Sequence, residues 1–161
     1  MTIIKYIMLI SVFLICSYLG KLKSNSFNKR YEELKKIKRS YGIFRSKLEF
    51  TYAPIGEVFS TISKIVYCEQ DNIFKRFLEN NDWDYSVDVQ NNLEKDDKEA
   101  IKSFGKMLGK LDKDGQLNEI YLAEKFVDKQ IEIAFEQKQK NEKLYSVLGK
   151  VVGIAIAIIL F

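Results

Sequence analysis

The sequence predicts an all-α protein, with a helical bundle in the middle of the chain and an apolar helix at each end. The 161 residues contain one proline and eight glycines, so few positions interrupt a helix. Apolar residues in the middle section recur every three or four positions, which is the period of a helix face. The two most apolar runs lie at the ends of the chain, and charged residues fill the section between them.

The composition narrows the possible functions. The chain has no histidine, which is the commonest general acid or base and the commonest transition-metal ligand. A Ser-His-Asp triad, a Cys-His dyad and a histidine-containing zinc site therefore cannot form. The sequence also lacks the phosphate loops GxGxxG and GxxxxGK(S/T), so the chain is not itself a P-loop motor. We predict a non-enzymatic protein without a metal or cofactor.

The N-terminal run Ile3–Leu19 is apolar except for Lys5 and two serines. Its seventeen residues would span roughly 25 Å as a helix, near the lower limit for crossing a bilayer core. A cleaved signal peptide is the alternative, but the residues from Cys16 to Gly20 offer no clear pair of small residues for cleavage. We therefore predict an uncleaved transmembrane anchor over residues 1–20.

The C-terminal run Val151–Phe161 contains no polar side chain. These residues alone are too few to cross a membrane, but counting back to Leu144 gives eighteen, and Lys150 can extend its ammonium group toward the headgroups. A buried core helix is the alternative, because apolar runs of this length often occur in cores. We predict a second transmembrane segment over residues 144–161, which leaves 21–143 as the helical bundle.

Charge is strongly segregated along the chain. Residues 21–47 carry a net charge of +8, residues 48–137 carry −8 and residues 138–150 carry +3. The positive-inside rule places such a basic-flanked section in the cytoplasm. We also expect a basic collar after the first anchor to attract anionic lipid headgroups; its residues are Lys21, Lys23, Lys29 and Arg30. Nucleic-acid binding is the alternative for this run, but no base-reading module surrounds it.

The first two helices of the predicted bundle follow from their apolar stripes. The first stripe steps by three or four residues and consists of Tyr31, Leu34, Ile37, Tyr41, Phe44 and Leu48. Pro54 fits the start of the second helix, whose apolar positions run from Ile55 to Val66 and include Ile65. Cys68 follows as a predicted small core residue. We expect no disulfide with Cys16, because the cytoplasm is reducing.

Two short helices come next. Asp71 or Asn72 can cap a helix that contains Ile73, Phe74, Phe77 and Leu78. The polar residues Asn80–Asp82 mark a turn, after which we expect Trp83 to cover one end of the core. A weaker helix is predicted around Tyr85 to Leu93.

The next predicted helix runs to about Gly109 and can be capped by Asp96 or Asp97. Its buried positions are expected to be Ile101, Phe104, Met107 and Leu108. Gly105 and Gly109 lie four residues apart, which would let another helix approach closely.

The final predicted helix begins near Gln116 and carries apolar positions at Ile120, Val127, Ile131, Ala134 and Phe135. No breaker separates its polar stretch 136–143 from the apolar C-terminal run. If it is unbroken from Leu117 to Phe161, it would be roughly 67 Å long and would connect the bundle to the membrane.

Two groups of residues are candidate interaction sites. Asp112, Asp114 and Gln116 surround Gly115 in a loop that resembles the opening of a calcium site, but an EF-hand requires glycine at position 6 and glutamate at position 12. We interpret this loop as a helix–helix turn with an aspartate cap or, alternatively, as a partner-docking loop. The second group is Gly149, Gly153 and Ala157, which recur every four residues and predict a close-packing face of a membrane helix.

The remaining carboxylate pairs, Asp82/Asp84 and Asp96/Asp97, could in principle hold Mg²⁺ or act as an acid and base pair. Nothing in the sequence brings them together, and solvated helix starts explain them better.

The layout resembles the stage III sporulation protein AB family, which is related to the type II secretion system F platform protein. Three stretches carry the resemblance: residues 30–57, which open with RYEEL and end with LEFTYAPIGE; residues 108–116, LGKLDKDGQ; and residues 143–153, KLYSVLGKVVG. Their order between two apolar ends matches the family. The polar stretch 85–98 departs from its pattern.

The resemblance implies a bundle like the type II secretion F domain. It also implies a platform role in the channel complex between mother cell and forespore of endospore-forming bacteria. The implied partners are the sporulation ATPase, stage III sporulation protein AA, and the other channel subunits. The implied location is the mother-cell membrane, that is, the outer forespore membrane, with the bundle facing the cytoplasm.

The residues themselves add two expectations about partners. The acidic centre should meet a basic patch on a partner, and the small-residue face allows self-association. Two other functions stay open: a two-anchor membrane scaffold or lipid-binding protein with no motor partner, and a small membrane-bound hydrolase that uses clustered carboxylates.

Overall fold

The computed structural model describes the backbone of residues 2–51 and 53–160, and their side chains except those of 2–7, 9, 157, 159 and 160. Within this part of the chain the fold is all-helical, as predicted. Its helices are α1 (Thr2–Phe50), α2 (Ile55–Tyr67), α3 (Ile73–Asn80), α4 (Trp83–Asp88), α5 (Lys95–Met107) and α6 (Lys113–Leu160).

The chain divides into two compact units. Unit 1 comprises Met1–Tyr31 and Ile133–Phe161, and unit 2 comprises Glu32–Glu132. Helices α1 and α6 therefore each contribute to both units. The predicted boundaries after residues 20 and 143 rest on hydropathy rather than on packing, and they stay a prediction.

The predicted membrane-spanning ends find no support in this structure. Among the described residues, no helix has a stretch long and apolar enough to cross a membrane.

Unit 2 is built around an aromatic core. From α1, Leu34, Ile37, Tyr41 and Phe44 are at most 2% exposed, which confirms the centre of the predicted stripe. Its end residues, Tyr31 and Leu48, are half-buried. The Phe59 ring of α2 lies 5.2 Å from the Phe74 ring and 5.5 Å from the Phe77 ring, measured between centroids. Rings at such distances stabilise each other by about 0.5–1.5 kcal/mol beyond the effect of burial.

Trp83 covers one side of this core, as predicted. Its indole stacks 5.5 Å from the Phe59 ring, and its Nε1–H donates a hydrogen bond of 2.9 Å to the carbonyl oxygen of Ile101. The hydrogen bond satisfies the polar edge of the ring while its faces stay in apolar contact. Trp83 thus joins α4 to α5.

Two predicted core residues of α2 and its end are exposed instead. Ile65 is 51% exposed, because the buried stripe of α2 continues from Ile62 to Val66 and leaves Ile65 at its edge. Cys68 is also exposed. It ends α2 in the left-handed region, with a φ of 49°, and a residue at this turn lies outside the helix's buried face.

The capping residues of α3 and α4 define where these short helices begin. Asn72, rather than Asp71, caps α3, since its Oδ1 accepts a bond of 3.0 Å from the N–H of Lys75. Asp82 caps α4 by accepting a bond of 2.9 Å from the N–H of Tyr85. Because of this cap, α4 begins at Trp83. It ends at Asp88, so both ends lie earlier than those of the predicted helix.

Helix α5 begins at Lys95, two residues earlier than a cap at Asp96 would allow and three earlier than a cap at Asp97 would allow. Its N-cap is Glu94, whose side chain accepts a bond from the backbone of Asp97. Asp97 in turn accepts a bond of 3.0 Å from the N–H of Glu94. This reciprocal pair, a capping box, explains why Asp97 is buried at the start of a helix. Met107 and Leu108, predicted to be buried, are half-buried at its other end.

The two glycines of this region do not receive the backbone of a neighbouring helix. A Cβ atom at Gly105 would overlap the indole ring of Trp83 at the start of α4, so the space is used by that ring. Gly109 has a φ of +75° and forms the turn after α5, a conformation that glycine adopts without steric cost.

Helix α6 is continuous, as predicted, but it begins at Lys113 rather than near Gln116. Ile120, Val127 and Ala134 are buried, whereas Ile131 is half-buried and Phe135 is exposed.

Candidate functional site

Helices α1 and α6 meet in unit 1 at glycines whose backbones almost touch. A Cβ atom at Gly20 would lie 2.7 Å from the carbonyl oxygen of Tyr145 and 2.8 Å from Cα of Gly149. At Gly149 it would lie 2.8 Å from the carbonyl oxygen of Cys16. Since real Cβ atoms do not approach backbone this closely, both positions require glycine for this packing.

The same contact extends one turn along α6. A Cβ atom at Gly153 would lie 3.0 Å from Cδ2 of Phe13 and 3.3 Å from Cβ of Cys16. The structure thus places two members of the predicted small-residue face, Gly149 and Gly153, against α1 of the same chain. The third member, Ala157, has a side chain that lies outside the described residues.

Sequence reasoning missed Gly20, the counterpart on α1. The signal was present, because Cys16 and Gly20 are small residues four positions apart, and such spacing places them on one helix face.

Polar and aromatic contacts continue the pairing of α1 and α6 within unit 1. The Ser24 hydroxyl donates a bond of 2.8 Å to the carbonyl oxygen of Glu142. The rings of Phe27 and Tyr145 lie 5.7 Å apart. These contacts hold the two helices in one register beyond the glycines.

One member of the predicted lipid collar belongs to this interface instead. Arg30 is only 6% exposed, and its Nη1 donates a bond of 2.7 Å to Oε1 of Gln137. A buried, hydrogen-bonded guanidinium does not offer its charge to a lipid surface. The other collar residues, Lys21, Lys23 and Lys29, are exposed.

Two grooves run beside the helix pair. The first, which we call the lysine groove, has a volume of about 1130 Å³. Its lining consists of Ser17, Lys21, Ser24, Asn25, Gln139, Glu142, Lys143, Ser146, Val147 and Lys150. The second, the apolar groove, has a volume of about 380 Å³. Its lining consists of Cys16, Leu19, Gly20, Lys23, Tyr145, Leu148, Gly149 and Val152.

The predicted docking loop lies at the start of α6, where Asp112 precedes the helix and Asp114 and Gln116 belong to it. Oδ1 of Asp112 accepts a bond of 3.1 Å from the N–H of Gly115, and Nε2 of Gln116 donates a bond of 2.8 Å to the carbonyl oxygen of Leu111. These bonds explain Asp112 and Gln116 by local structure. Asp114 is exposed in the first turn of α6. A docking role for the three residues stays a prediction.

Unit 2 contains a buried polar cluster that sequence reasoning missed. Nε2 of Gln90 donates a bond of 2.9 Å to Oε1 of Glu33, and Nη2 of Arg76 donates to Oε1 of Gln90. Nε of Arg76 donates a bond of 3.2 Å to the carbonyl oxygen of Asn72. The cluster ties α1 to α3 and to Gln90, the second residue after α4. Because its members are distant in sequence, no local pattern reveals them.

Glu33 is the member of this cluster whose charged form is disfavoured by burial. Burial raises the pKa of the Glu33 carboxyl, although Lys36, whose Nζ lies 3.8 Å away, works in the opposite direction. Burial also raises the pKa of the Tyr67 hydroxyl well above its ordinary value, and the nearby charge of Glu33 adds to the rise. That hydroxyl is buried beside Glu33 and Ser40 without a hydrogen bond of ordinary geometry in the described part of the chain.

The carboxylate pairs Asp82/Asp84 and Asp96/Asp97 lie at the N-terminal ends of α4 and α5. Asp82 and Asp97 are capping residues. Asp84 lies in the first turn of α4 and pairs with Lys106 at 3.2 Å. Asp96 is exposed in the first turn of α5. Among the residues that the structure describes, no group of three or more cysteine, aspartate and glutamate side chains is placed to hold a metal ion.

A comparison with protein families decides which family this chain represents. The family model described as stage III sporulation protein AB matches residues 5–161. The chain belongs to the stage III sporulation protein AB family. This confirms the resemblance and assigns the chain a role in stage III of sporulation. Neither the curated proteins nor the solved structures contain a significant match.

The match of the stage III sporulation protein AB family includes both features described above. It covers all of unit 2, with the polar cluster around Glu33, and all but the first residues of unit 1, with the glycine contact of Gly20 and Gly149. Family membership therefore applies to the helix pair and to the bundle together.

Proposed function

We propose that the chain is a non-enzymatic membrane platform component of the channel complex between mother cell and forespore. In this role it couples a cytoplasmic ATPase, stage III sporulation protein AA, to the other channel subunits. The observation that carries the proposal is the family match over residues 5–161, together with the family's relation to the secretion F platform protein.

The membrane part of the proposal concerns unit 1. Its two helices expose many large apolar side chains: Met8, Ile10, Leu14, Ile15, Tyr18, Leu19, Leu144, Val147, Leu148, Val151, Val152, Ile154 and Ile158. Exposed apolar surface of this extent marks an interaction with lipid or protein, and glycine contacts are typical of helices that pack within membranes. On this proposal the apolar ends of α1 and α6 cross the outer forespore membrane, and unit 2 faces the mother-cell cytoplasm.

The docking part of the proposal concerns unit 2. Its residues 32–132 carry a net charge of −3, whereas unit 1 carries +7. Electrostatic complementarity gives specificity and speeds association, so a basic patch on the ATPase would suit this unit. Asp112 and Asp114 are the exposed members of the proposed docking loop. Asp112 already accepts the bond from the N–H of Gly115, so Asp114 is the better candidate for contact with a partner.

Capture of the tagged chain from sporulating cells tests the coupling to the ATPase. We expect the wild-type chain to recover the ATPase, and Asp114→Asn to recover several-fold less. Asp96→Asn is the matched control, because Asp96 is also exposed in the first turn of a helix. Both changes remove one charge near a helix N-terminus, at a similar cost of about 0.3–1 kcal/mol.

The outcomes separate the parts of the proposal. Equal recovery by both variants would exclude the docking loop. If the wild-type chain recovers no ATPase, coupling is excluded, and the alternative of a two-anchor scaffold or lipid-binding protein without a motor partner would replace it. The lysine groove favours a lipid-binding protein over a hydrolase, because three lysines and a single carboxylate line it, whereas the hydrolase would need clustered carboxylates.

A further inference from the structure

We propose that the lysine groove of unit 1 is a binding site for the phosphate of one anionic lipid headgroup. The inference rests on the proposed membrane association of unit 1. It goes beyond a diffuse attraction between a basic collar and a membrane, because it assigns a defined groove and one lipid.

The groove combines one face of each helix. On α1, Ser17, Lys21 and Ser24 recur every three or four residues, and on α6 the same spacing joins Lys143 and Lys150 through Ser146. Residues at these intervals share a helix face. The pairing of α1 with α6 therefore brings Lys21 into the same groove as Lys143 and Lys150, although Lys21 is distant from both in the sequence.

The three lysines keep their charges available for a ligand. Lys21, Lys143 and Lys150 are exposed, and none of them forms an ion pair or hydrogen bond with another residue of the described chain. Glu142 is the single carboxylate among the lining residues, so the lining carries a net charge of +2. Hydroxyl groups of Ser17 and Ser146 add neutral donors for phosphate oxygens.

The surroundings favour a lipid over a free anion. Val147 lines the groove itself. The exposed apolar residues Val151 and Ile154 lie within one helix turn of Lys150, and Leu14 lies two turns before Lys21. A basic pocket between two helices, bordered by apolar surface, is the usual form of a headgroup site. A free phosphate would gain nothing from the apolar border, whereas acyl chains would lie along it.

Native mass spectrometry of the full chain in neutral detergent tests this site. A neutral micelle has no charged surface, so a lipid that stays bound is not held by diffuse attraction to a membrane. We expect one phosphatidylglycerol to remain bound and phosphatidylcholine to be lost. Lys143→Gln with Lys150→Gln should weaken phosphatidylglycerol binding about thirtyfold, because each lysine near a headgroup contributes to the attraction. The matched control is Lys138→Gln with Lys140→Gln, which removes the same charge from α6 outside the groove and should retain the lipid.

Three results would overturn the inference: equal retention of both lipids, equal loss in the two double variants, or displacement of phosphatidylglycerol by inorganic phosphate at comparable concentration. Circular dichroism of each variant shows whether it keeps its helices, and a double variant that unfolds is replaced by Lys143→Gln alone. The measurement contains no ATPase and no membrane. Its failure is therefore distinct from a failure of the proposed coupling function.

Discussion

Gly105 shows how one residue positions the aromatic core of unit 2. The Trp83 indole occupies the place that a side chain at position 105 would take. The spacing of Gly105 and Gly109 predicted a close approach of another helix, which the structure shows at Gly105 alone and as a side chain rather than a helix backbone. Sequence periodicity carries no information about which residue fills a gap. The same limit explains Arg30, whose charge predicted a surface role but whose hydrogen-bond partner, Gln137, lies 107 positions away.

Gly105→Ala should destabilise unit 2 by about 1–3 kcal/mol, because the added methyl group would force the indole out of place. Gly42→Ala is the control. The nearest atom to a Cβ there is 4.0 Å away, so alanine should stabilise helix α1 by about 0.5–1 kcal/mol. Urea unfolding followed by the fluorescence of Trp83, the single tryptophan, measures both. Equal effects of the same sign would contradict the packing of Trp83 against Gly105.

Glu33 should make stability depend on pH. Its pKa is raised above the ordinary value of 4.5, so between 4.5 and the raised value the folded chain keeps a proton that the unfolded chain has lost. Stability contributed by Glu33 is therefore complete below pH 4.5 and falls as pH rises through the folded pKa.

Glu33→Gln should remove this dependence while keeping an oxygen that accepts the bond from Gln90. The free energy of unfolding of Glu33→Gln minus that of the wild type should rise with pH across that window and level off above it. Urea unfolding at a series of pH values measures the difference. A difference that stays constant with pH would show that burial of Glu33 does not raise its pKa.

At the scale of helices, periodicity predicted the centre of the α1 stripe, and Asn72 was one of two candidate caps of α3. The sequence also predicted an aspartate cap before the last helix without deciding which aspartate, and the structure shows that it is Asp112. The start of α5 was not predictable in the same way, because Glu94 and Asp97 cap each other and each looks like an ordinary charged residue. Helix ends such as Cys68 depend on backbone conformation rather than on hydropathy.

The caps of α3 and α4 should differ in their effect on stability. Asp82→Ala removes an exposed cap and should cost about 1 kcal/mol. Asn72→Ala should cost about 2–4 kcal/mol, because Asn72 is fully buried and also donates bonds of 3.0 Å to Ser63 and 2.7 Å to the carbonyl oxygen of Gln70. Thermal unfolding of the two variants compares them. Equal costs would mean that the buried bonds of Asn72 add nothing.

The pairing of α1 with α6 can be tested by a disulfide. Gly153→Cys, in a chain that also carries Cys68→Ser, should cross-link to Cys16 on mild oxidation, because the two Cβ atoms would lie 3.3 Å apart, close to the range that disulfides need. Ile154→Cys is the control on the exposed neighbour. Mass spectrometry of peptides under non-reducing conditions detects the link. Efficient cross-linking of the control, or none of Gly153→Cys, would contradict the helix register.

At the scale of the whole molecule, the net charge of +4 conceals a division between the two units. Unit 1 carries the positive excess, and unit 2 is acidic even though α1 brings several basic residues into it. Some of those basic residues are paired across unit 2, as Arg45 is with Glu124 at 3.1 Å. The linear charge blocks of the sequence therefore overstate the acidity of the folded bundle but give its sign correctly.

The sites differed in how far the sequence could predict them. The small-residue face of α6 was visible from spacing, but its counterpart at Gly20 and the groove formed by lysines of two helices depend on how α1 and α6 pair. The polar cluster of Glu33, Arg76 and Gln90 likewise joins three separate elements. Local patterns predict elements and faces, whereas sites built from several elements require the tertiary structure.

Flotation of vesicles tests the central claim, that this chain couples a cytoplasmic ATPase to a membrane. The full chain is reconstituted into lipid vesicles, mixed with stage III sporulation protein AA and centrifuged through a density gradient. We predict that the ATPase floats with vesicles that contain the chain and stays at the bottom with vesicles that lack it. An ATPase that stays at the bottom while the chain floats would contradict the coupling, and a chain that itself stays at the bottom would contradict its membrane role.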